Sequence, residues 1–250
     1  MARARSQGVG LLVLTDHDTV SGFEEAAAAT AGSSLDVRCG IEINTRLGDS
    51  VHVLGYGIRW RDPGLLGRLA QFRERRLERI RMIAENLSRQ GVAISFDEVR
   101  GESRETLGRP HVADALIRKG IVRSRQEAFN RYLMRGRPAY VEPMGPSVEE
   151  AFALIREMGG FASLAHPQTV KDLSPLKEWA GLGLEGLEVH YAGHTPAERK
   201  RYSDIARSLG LLATGGSDFH GPGSGRDGQL GVDMPEEDYV RFMERLSRCG

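Results

Sequence analysis

The residues Leu11-Leu12-Val13-Leu14-Thr15-Asp16-His17-Asp18 join a short apolar run to a group of polar side chains. The run has the length of a buried strand, and turn-forming residues follow it directly. Where strands and helices alternate along a chain, ligands bind at the carboxyl ends of the strands, because the loops converge there. This stretch therefore predicts a strand whose end carries functional groups.

The same arrangement recurs along the chain, with strand candidates at residues 11–15, 35–43, 51–58, 160–165, 184–190 and 211–216. Ser/Thr-x-x-Glu sequences typical of helix capping boxes begin at Ser21, Ser95, Ser124, Ser147 and Thr195. This alternation predicts an α/β fold with a parallel sheet or a barrel. Only helical patterns occur between residues 66 and 145. We therefore expect an inserted helical subdomain at 66–145, with residues 1–65 and 146–250 forming the barrel domain.

Metal-ligating side chains stand at the ends of four predicted strands: His17, Glu42, His166, and Asp218 with His220. A single residue of this kind is usually a turn former or a helix cap, and His52 alone could be a core histidine. Four strand ends together favour one site. Imidazoles mixed with carboxylates, without thiolates, are typical of Mn²⁺, Zn²⁺ or Fe²⁺ sites. Ser217 lacks the Gly-x-Ser-x-Gly setting of a serine nucleophile, and neither Walker-A nor Rossmann glycine patterns occur.

The overall composition points to no particular partner. The 250 residues hold 34 basic and 34 acidic side chains, so the net charge demands neither nucleic acid nor membrane. Residues 100–140 carry nine Arg and one Lys against four acidic residues, which concentrates positive charge in the insertion. Cys39 and Cys249 give no disulfide framework, and no apolar run approaches the length of a bilayer span. We expect a cytoplasmic protein with no membrane contact and no stable protein partner.

These motifs resemble those of the polymerase-and-histidinol-phosphatase (PHP) family of metal-dependent phosphoesterases. The similar stretches are residues 15–22, 40–43 followed by 52–56, 165–167 and 216–221. The resemblance implies a distorted (β/α)₇ barrel with the helical insertion beside its mouth. It also implies a set of metal ligands: His17, Glu42, His52, His166, Asp218 and His220. Asp16 and Asp18 are then expected to orient the imidazole of His17.

One motif of the family has no counterpart in this sequence. The family carries Asp-x-His-x-His-Ser on its first strand, whereas residues 1–9 look like the end of the following helix. We therefore expect the first strand and three usual ligands to be missing. Either the coding start was placed at an internal Met, or the chain is a trimmed or decayed copy.

The insertion resembles a small-PHP subgroup of nucleotide phosphoesterases at residues 108–111, 131–133 and 136–141. That subgroup acts on nucleoside 3′,5′-bisphosphates and, as 5′-to-3′ exonucleases, on short RNA. The resemblance implies hydrolysis of a phosphorylated nucleotide or short oligonucleotide by metal-activated water, with Mn²⁺ expected first and Zn²⁺ or Fe²⁺ as alternatives. The candidate phosphate contacts are Arg109, His111 and Arg137, with His194 as a further substrate contact. The two arginines could equally be solvated surface residues.

Two other functions stay open. The missing motif is compatible with a weakly active or inactive remnant that still binds metal or nucleotide. A histidinol-phosphatase-like activity is the second alternative. The basic insertion favours a nucleotide over an amino-alcohol phosphate as the substrate.

Overall fold

A computed structural model describes residues 1–48, 50–101, 106–221 and 228–249. Six strands form one curled sheet in the order β1-β2-β3-β4-β5-β6. Their bounds are Leu11–Leu14, Asp36–Asn44, His52–Tyr56, Phe161–Leu164, Leu184–Tyr191 and Leu212–Gly216. Every strand predicted from the sequence is present, because short apolar runs bounded by turn residues leave few alternatives.

The direction of β3 differs from the expected parallel arrangement. The pairs β1/β2, β4/β5 and β5/β6 are parallel, but β3 is antiparallel to both β2 and β4. The α/β fold is confirmed, but the parallel pairing expected from the alternation of strands and helices does not hold at this strand. The segment 45–51 between β2 and β3 is too short for the crossover that parallel neighbours need, which takes about a dozen residues or more. The chain turns back on itself instead.

Helices cover the sheet and form the insertion. Their bounds are α1 Ala2–Ser6, α2 Phe23–Ala28, α3 Pro63–Arg89, α4 Phe96–Arg100, α5 Arg109–Arg118, α6 Arg125–Ala128, α7 Val148–Glu157, α8 Leu176–Leu182, α9 Pro196–Leu209 and α10 Glu236–Leu246. A π-helical turn, Phe129–Leu133, continues α6, and a 3₁₀ turn, Pro167–Thr169, follows β4. Across the described parts of the chain, no helix is both long enough and apolar enough to pass through a membrane.

The helix caps follow the sequence closely. Both reciprocal bonds of a capping box form at Ser95, Ser147 and Thr195, as predicted. Ser124 accepts a hydrogen bond from the N–H of Glu127, but the Glu127 carboxylate accepts from a backbone N–H upstream of the helix instead of closing the box. Serine or threonine with glutamate three residues later thus predicted the helix start in all four cases.

The box expected at Ser21 is absent, and this prediction was wrong. Helix α2 begins at Phe23, and its N-cap residue is Gly22. The backbone N–H of Ser21 donates to the hydroxyl of Thr19 within a turn, and Glu24 pairs with Arg61. A local turn therefore takes the place of the cap.

Helix α3 contributes to two of the three apolar clusters found among the described residues. The first lies between the sheet and α7, α8 and α9, and it includes Leu69 near the start of α3. The second has all its buried members between residues 80 and 139, and it includes Ile83 from the second half of α3. Helix α3 therefore runs from the barrel domain into the insertion. It crosses the boundary expected at residue 66, and the exact division of the chain stays a prediction.

Candidate active site

The carboxyl ends of five strands meet at one edge of the sheet, and the reversed strand β3 brings its first residue to the same edge. His17 follows β1 and forms an isolated parallel bridge with Glu42 of β2. His52 opens β3 and pairs with Asn44 at the end of β2. His166 follows β4 in the same way. The reversal of β3 is thus the reason that a strand start contributes to a set of strand ends.

Glu42 lies at the centre of this group. Its Oε1 is 2.7 Å from Nδ1 of His52 and 3.1 Å from Nε2 of His166, and its Oε2 is 3.4 Å from Nδ1 of His17. The nitrogens of His52 and His166 that face Glu42 are only 3.2 Å apart. One ligand atom from each of His17, Glu42 and His52 lies within 4.8 Å of the others. Three imidazoles therefore converge on one carboxylate.

Asp218 and His220 complete the arrangement from the segment after β6. The imidazole ring of His220 is centred 5.8 Å from that of His17, and its Nδ1 is 2.7 Å from the carbonyl oxygen of Asp218. The hydroxyl of Tyr191 donates to Oδ2 of Asp218 at 3.2 Å. All six residues expected as ligands line this edge, and we refer to them as the strand-end cluster. Their role as ligands stays a prediction.

The protonation of the cluster suits a cation. Burial lowers the pKa of His17 to about 3, which keeps its imidazole neutral and able to ligate. Burial alone would favour a protonated Glu42, but its contacts with the surrounding imidazoles, including hydrogen bonds from His166 and His52, hold the pKa of Glu42 well below its usual range. Burial lowers the pKa of His166, but the Glu42 carboxylate outweighs it and raises that pKa. An ionised carboxylate among imidazoles is a donor set that Mn²⁺, Zn²⁺ and Fe²⁺ accept.

Backbone strain is concentrated at this edge. Among the residues that the structure describes, the non-glycine residues with positive φ are Asp18 at 53°, His166 at 29° and Asp218 at 50°. All three belong to or adjoin the strand-end cluster. Such conformations cost free energy and persist where the surroundings impose them, which is typical of functional sites.

Glu188 of β5 is a site residue that the sequence analysis missed. It is buried, and its Oε2 accepts a hydrogen bond of 2.6 Å from the backbone N–H of His166. Burial raises the pKa of Glu188 to about 8. The available signal was a single acidic residue between Leu187 and Val189 in an apolar strand. A buried carboxylate there demands a partner.

The two aspartates beside His17 are placed differently from each other. Asp18 is buried, and its Oδ2 accepts from Nδ2 of Asn44 at 2.8 Å. The same Nδ2 lies 3.1 Å from Nδ1 of His17, so Asp18 reaches the imidazole through Asn44, which the sequence analysis did not select. The side chain of Asp16 is exposed, and its carbonyl oxygen accepts from the N–H of Glu42 at 3.0 Å.

A cavity of about 1050 Å³ opens over the strand-end cluster. Its lining includes His17, Glu42, His166, Glu188, Asp218 and His220. Most of its lining comes from the chain on either side of the insertion, and Thr106 and His111 of the insertion line it as well. Ligand pockets in proteins typically measure about 300–1,000 Å³, so this cavity can admit a ligand larger than a single phosphate group.

The three expected phosphate contacts occupy different surroundings. His111 lines the cavity, and its Nδ1 accepts a hydrogen bond of 2.9 Å from the N–H of Gly108. Arg109 donates to the carbonyl oxygen of Leu133 at 3.1 Å, and its guanidinium lies 5.2 Å from the ring centre of Phe129. Arg137 is exposed. Their roles in substrate binding stay predictions. Of the three side chains, only His111 lines the cavity over the strand-end cluster.

His194 is buried and held from both sides by the protein. Its Nδ1 lies 2.9 Å from the carbonyl oxygen of Val189, and its Nε2 lies 2.6 Å from Oε1 of Gln168. Burial lowers its pKa. A direct substrate contact by His194 would require its ring to exchange one of these partners.

Comparison with known proteins finds relatives along nearly the whole chain. No family model matches. The 3′,5′-nucleoside bisphosphate phosphatase of Chromobacterium violaceum is 36% identical over 242 residues, covering 93% of this chain and 85% of that protein. A 5′-3′ exoribonuclease of Haemophilus influenzae is 30% identical over 229 residues, covering 88% of this chain and 82% of that enzyme.

A solved structure agrees with these relatives. The crystal structure of a protein from Bifidobacterium adolescentis, assigned as a metal-dependent phosphoesterase, superposes with a TM-score of 0.84 at 33% identity. The match covers 100% of this chain and 89% of that one. The alignment therefore includes both the barrel domain and the insertion.

Proposed function

Since the chain belongs to the PHP family of metal-dependent phosphoesterases, we propose that it hydrolyses a phosphate ester of a nucleoside 3′,5′-bisphosphate or of a short 5′-phosphorylated oligonucleotide. One observation carries the proposal. The imidazoles of His17, His52 and His166 converge on the Glu42 carboxylate, and His17, Glu42 and His166 line a cavity large enough for a nucleotide. A structural role alone would not require so many ionisable groups in contact.

The donor set of the strand-end cluster fits a divalent cation. Two imidazole nitrogens 3.2 Å apart share Oε1 of Glu42, an arrangement that a shared positive charge stabilises. We propose Mn²⁺ as the working metal, with Zn²⁺ or Fe²⁺ as alternatives, because imidazole and carboxylate ligands suit all three. A bound cation of this kind polarises phosphoryl oxygens and lowers the pKa of a water molecule. The protein positions the ligands, with Tyr191 holding Asp218 and Glu188 holding His166.

The helical side of the cavity is proposed to select the substrate. Thr106 and His111 line the same cavity as the strand-end cluster, which supports a contact with the part of a substrate that projects from the metal site. A nucleotide fills such a space better than histidinol phosphate, which agrees with the activities named for the two relatives. The thiols of Cys39 and Cys249 are free, which supports activity in a reducing compartment such as the cytoplasm.

The test is a substrate panel with a controlled metal supply. The purified protein is stripped with a chelator, reloaded separately with Mn²⁺, Zn²⁺ or anaerobic Fe²⁺, and assayed for phosphate release. The panel contains a nucleoside 3′,5′-bisphosphate, a 5′-phosphorylated trinucleotide and histidinol phosphate. We expect hydrolysis of the first two with Mn²⁺ and none from the stripped protein.

Each remaining outcome has a defined meaning. Hydrolysis of histidinol phosphate alone would overturn the nucleotide assignment. Metal binding without hydrolysis of any substrate would favour a remnant that binds but does not react. Activity that survives complete removal of metal would contradict the proposed role of the strand-end cluster.

A further inference from the structure

Asp18 is a buried charge whose polar atoms are all engaged by protein. It is 2% exposed, and its backbone N–H donates to the carbonyl oxygen of Glu42 at 2.9 Å. Its Oδ1 accepts from the N–H of Asn44 at 3.1 Å, and its Oδ2 accepts from Nδ2 of Asn44 at 2.8 Å. An ionised carboxylate in such a place is costly unless a cation balances it.

Arg76 of helix α3 supplies that cation. Its Nη1 donates to Oδ2 of Asp18 at 2.9 Å, and its side chain is 18% exposed. The same guanidinium donates through Nε to the carbonyl oxygen of Leu107. Arg73, one turn earlier on α3, donates to the carbonyl oxygen of Asp18 at 3.2 Å. A planar guanidinium with several fixed donors can hold two acceptors in different segments, which a lysine ammonium does less well.

The contacts of Arg76 extend to both sides of the cavity. On the barrel side, Asp18 fixes Asn44, whose Nδ2 lies 3.1 Å from Nδ1 of His17 in the strand-end cluster. On the helical side, Leu107 is flanked by Thr106, which lines the cavity, and begins the turn that leads to His111. One guanidinium therefore joins a predicted metal ligand to the segment that faces the substrate.

We infer that Arg76 is a positioning residue for both halves of the site. Through Asp18 it fixes the Asn44 amide beside the imidazole of His17, a predicted metal ligand, and through Leu107 it holds the segment that carries His111 beside the cavity. The substrate half of this inference rests on the proposed function, whereas the metal half does not. Loss of Arg76 should therefore weaken metal binding and substrate binding together.

The variant Arg76→Ala is compared with Arg79→Ala, a matched control one turn further along α3. Arg79 donates to the carbonyl oxygen of Val141 instead, so its loss removes a similar interaction within the same helix. Mn²⁺ affinity is measured by calorimetry on the stripped proteins, and KM and kcat are measured separately on a nucleoside 3′,5′-bisphosphate. We expect Arg76→Ala to weaken Mn²⁺ binding about tenfold or more, as for other partners that orient a ligand. We also expect a higher KM, with Mn²⁺ binding to Arg79→Ala within about twofold of the wild type.

A milder pair keeps the test valid if Arg76→Ala does not fold. Arg76→Lys retains the positive charge but loses the planar guanidinium that can donate to two acceptors. Asp18→Asn retains the shape of the side chain but loses its negative charge. Each should weaken Mn²⁺ binding, and the double variant should be no worse than the poorer single one, because both act through the same contact. Additive losses, or equal Mn²⁺ affinity in wild type, Arg76→Lys and Asp18→Asn, would overturn the inference. If the wild type binds Mn²⁺ but hydrolyses no substrate, the proposed function fails while the metal half of the inference is still decided.

Discussion

In the strand-end cluster several imidazoles share one carboxylate, whereas the arginines of the insertion bind backbone carbonyls or form separate ion pairs, such as Arg125 with Asp114. In the cluster, ionisable side chains contact each other, as Glu42 contacts His17, His52 and His166. In the insertion, several guanidinium groups donate to backbone carbonyl oxygens: Arg76 to Leu107, Arg79 to Val141, Arg109 to Leu133, Arg118 to Glu98 and Arg131 to Ile121. The difference shows that charge density along a sequence does not measure phosphate-binding capacity. An arginine that stabilises a loop carbonyl has its position set by the fold.

The largest effect is expected at the centre of the strand-end cluster. Glu42→Gln preserves the shape but removes the negative charge that the imidazoles share. We expect Mn²⁺ affinity and kcat/KM to fall on the order of a hundredfold or more. Substitution of a residue that only orients a metal ligand already lowers metal affinity or activity by about 10- to 100-fold. Calorimetry and phosphate release measure the two quantities. Glu157→Gln, at an exposed position on α7, is the matched control. Retention of most activity in Glu42→Gln would remove the cluster from the chemistry.

Arg109→Ala is expected to have an intermediate effect, mainly on stability. The change removes the hydrogen bond to the carbonyl of Leu133 and the contact with the ring of Phe129. A hydrogen bond from a charged group contributes about 1.5–3 kcal/mol, so the free energy of unfolding should fall by roughly that amount. Urea denaturation measures it, with Arg123→Ala, at an exposed position of the insertion, as control. A salt-dependent loss of substrate affinity at unchanged stability would instead assign Arg109 to the phosphate.

The smallest effect is expected for Arg137→Ala. The side chain is exposed, and surface substitutions usually change stability by less than about 0.5 kcal/mol. We expect an unchanged kcat and a modest rise of KM that disappears at high salt, because screening removes long-range attraction between exposed charges. The measurement is KM at low and high ionic strength. A large rise of KM that persists at high salt would show that the insertion brings Arg137 into contact with the substrate.

The sheet and the strand-end cluster could be predicted from the sequence because both depend on local patterns. Apolar runs set the strands, and topology then forces their ends together. The antiparallel direction of β3 required attention to the length of the 45–51 connection, a signal that was present but not used. Glu188 and Asn44 were missed because their importance lies in long-range contacts, with His166 and with Asp18 and His17. The partners of the insertion arginines depend on how helices pack, which spacing along one chain does not determine.

The left-handed backbone at Asp18, His166 and Asp218 has a consequence for selection and engineering. A non-glycine residue in this conformation carries a cost of about 1–3 kcal/mol. Glycine at any of the three positions would relieve that strain while deleting a side chain that the site uses. At Asp18 and His166 the loss of buried contacts would offset that relief. A screen for heat resistance alone should therefore recover glycine at position 218, and the gain would be accompanied by a loss of turnover. Stability and turnover therefore place opposite demands on the backbone at this edge of the sheet.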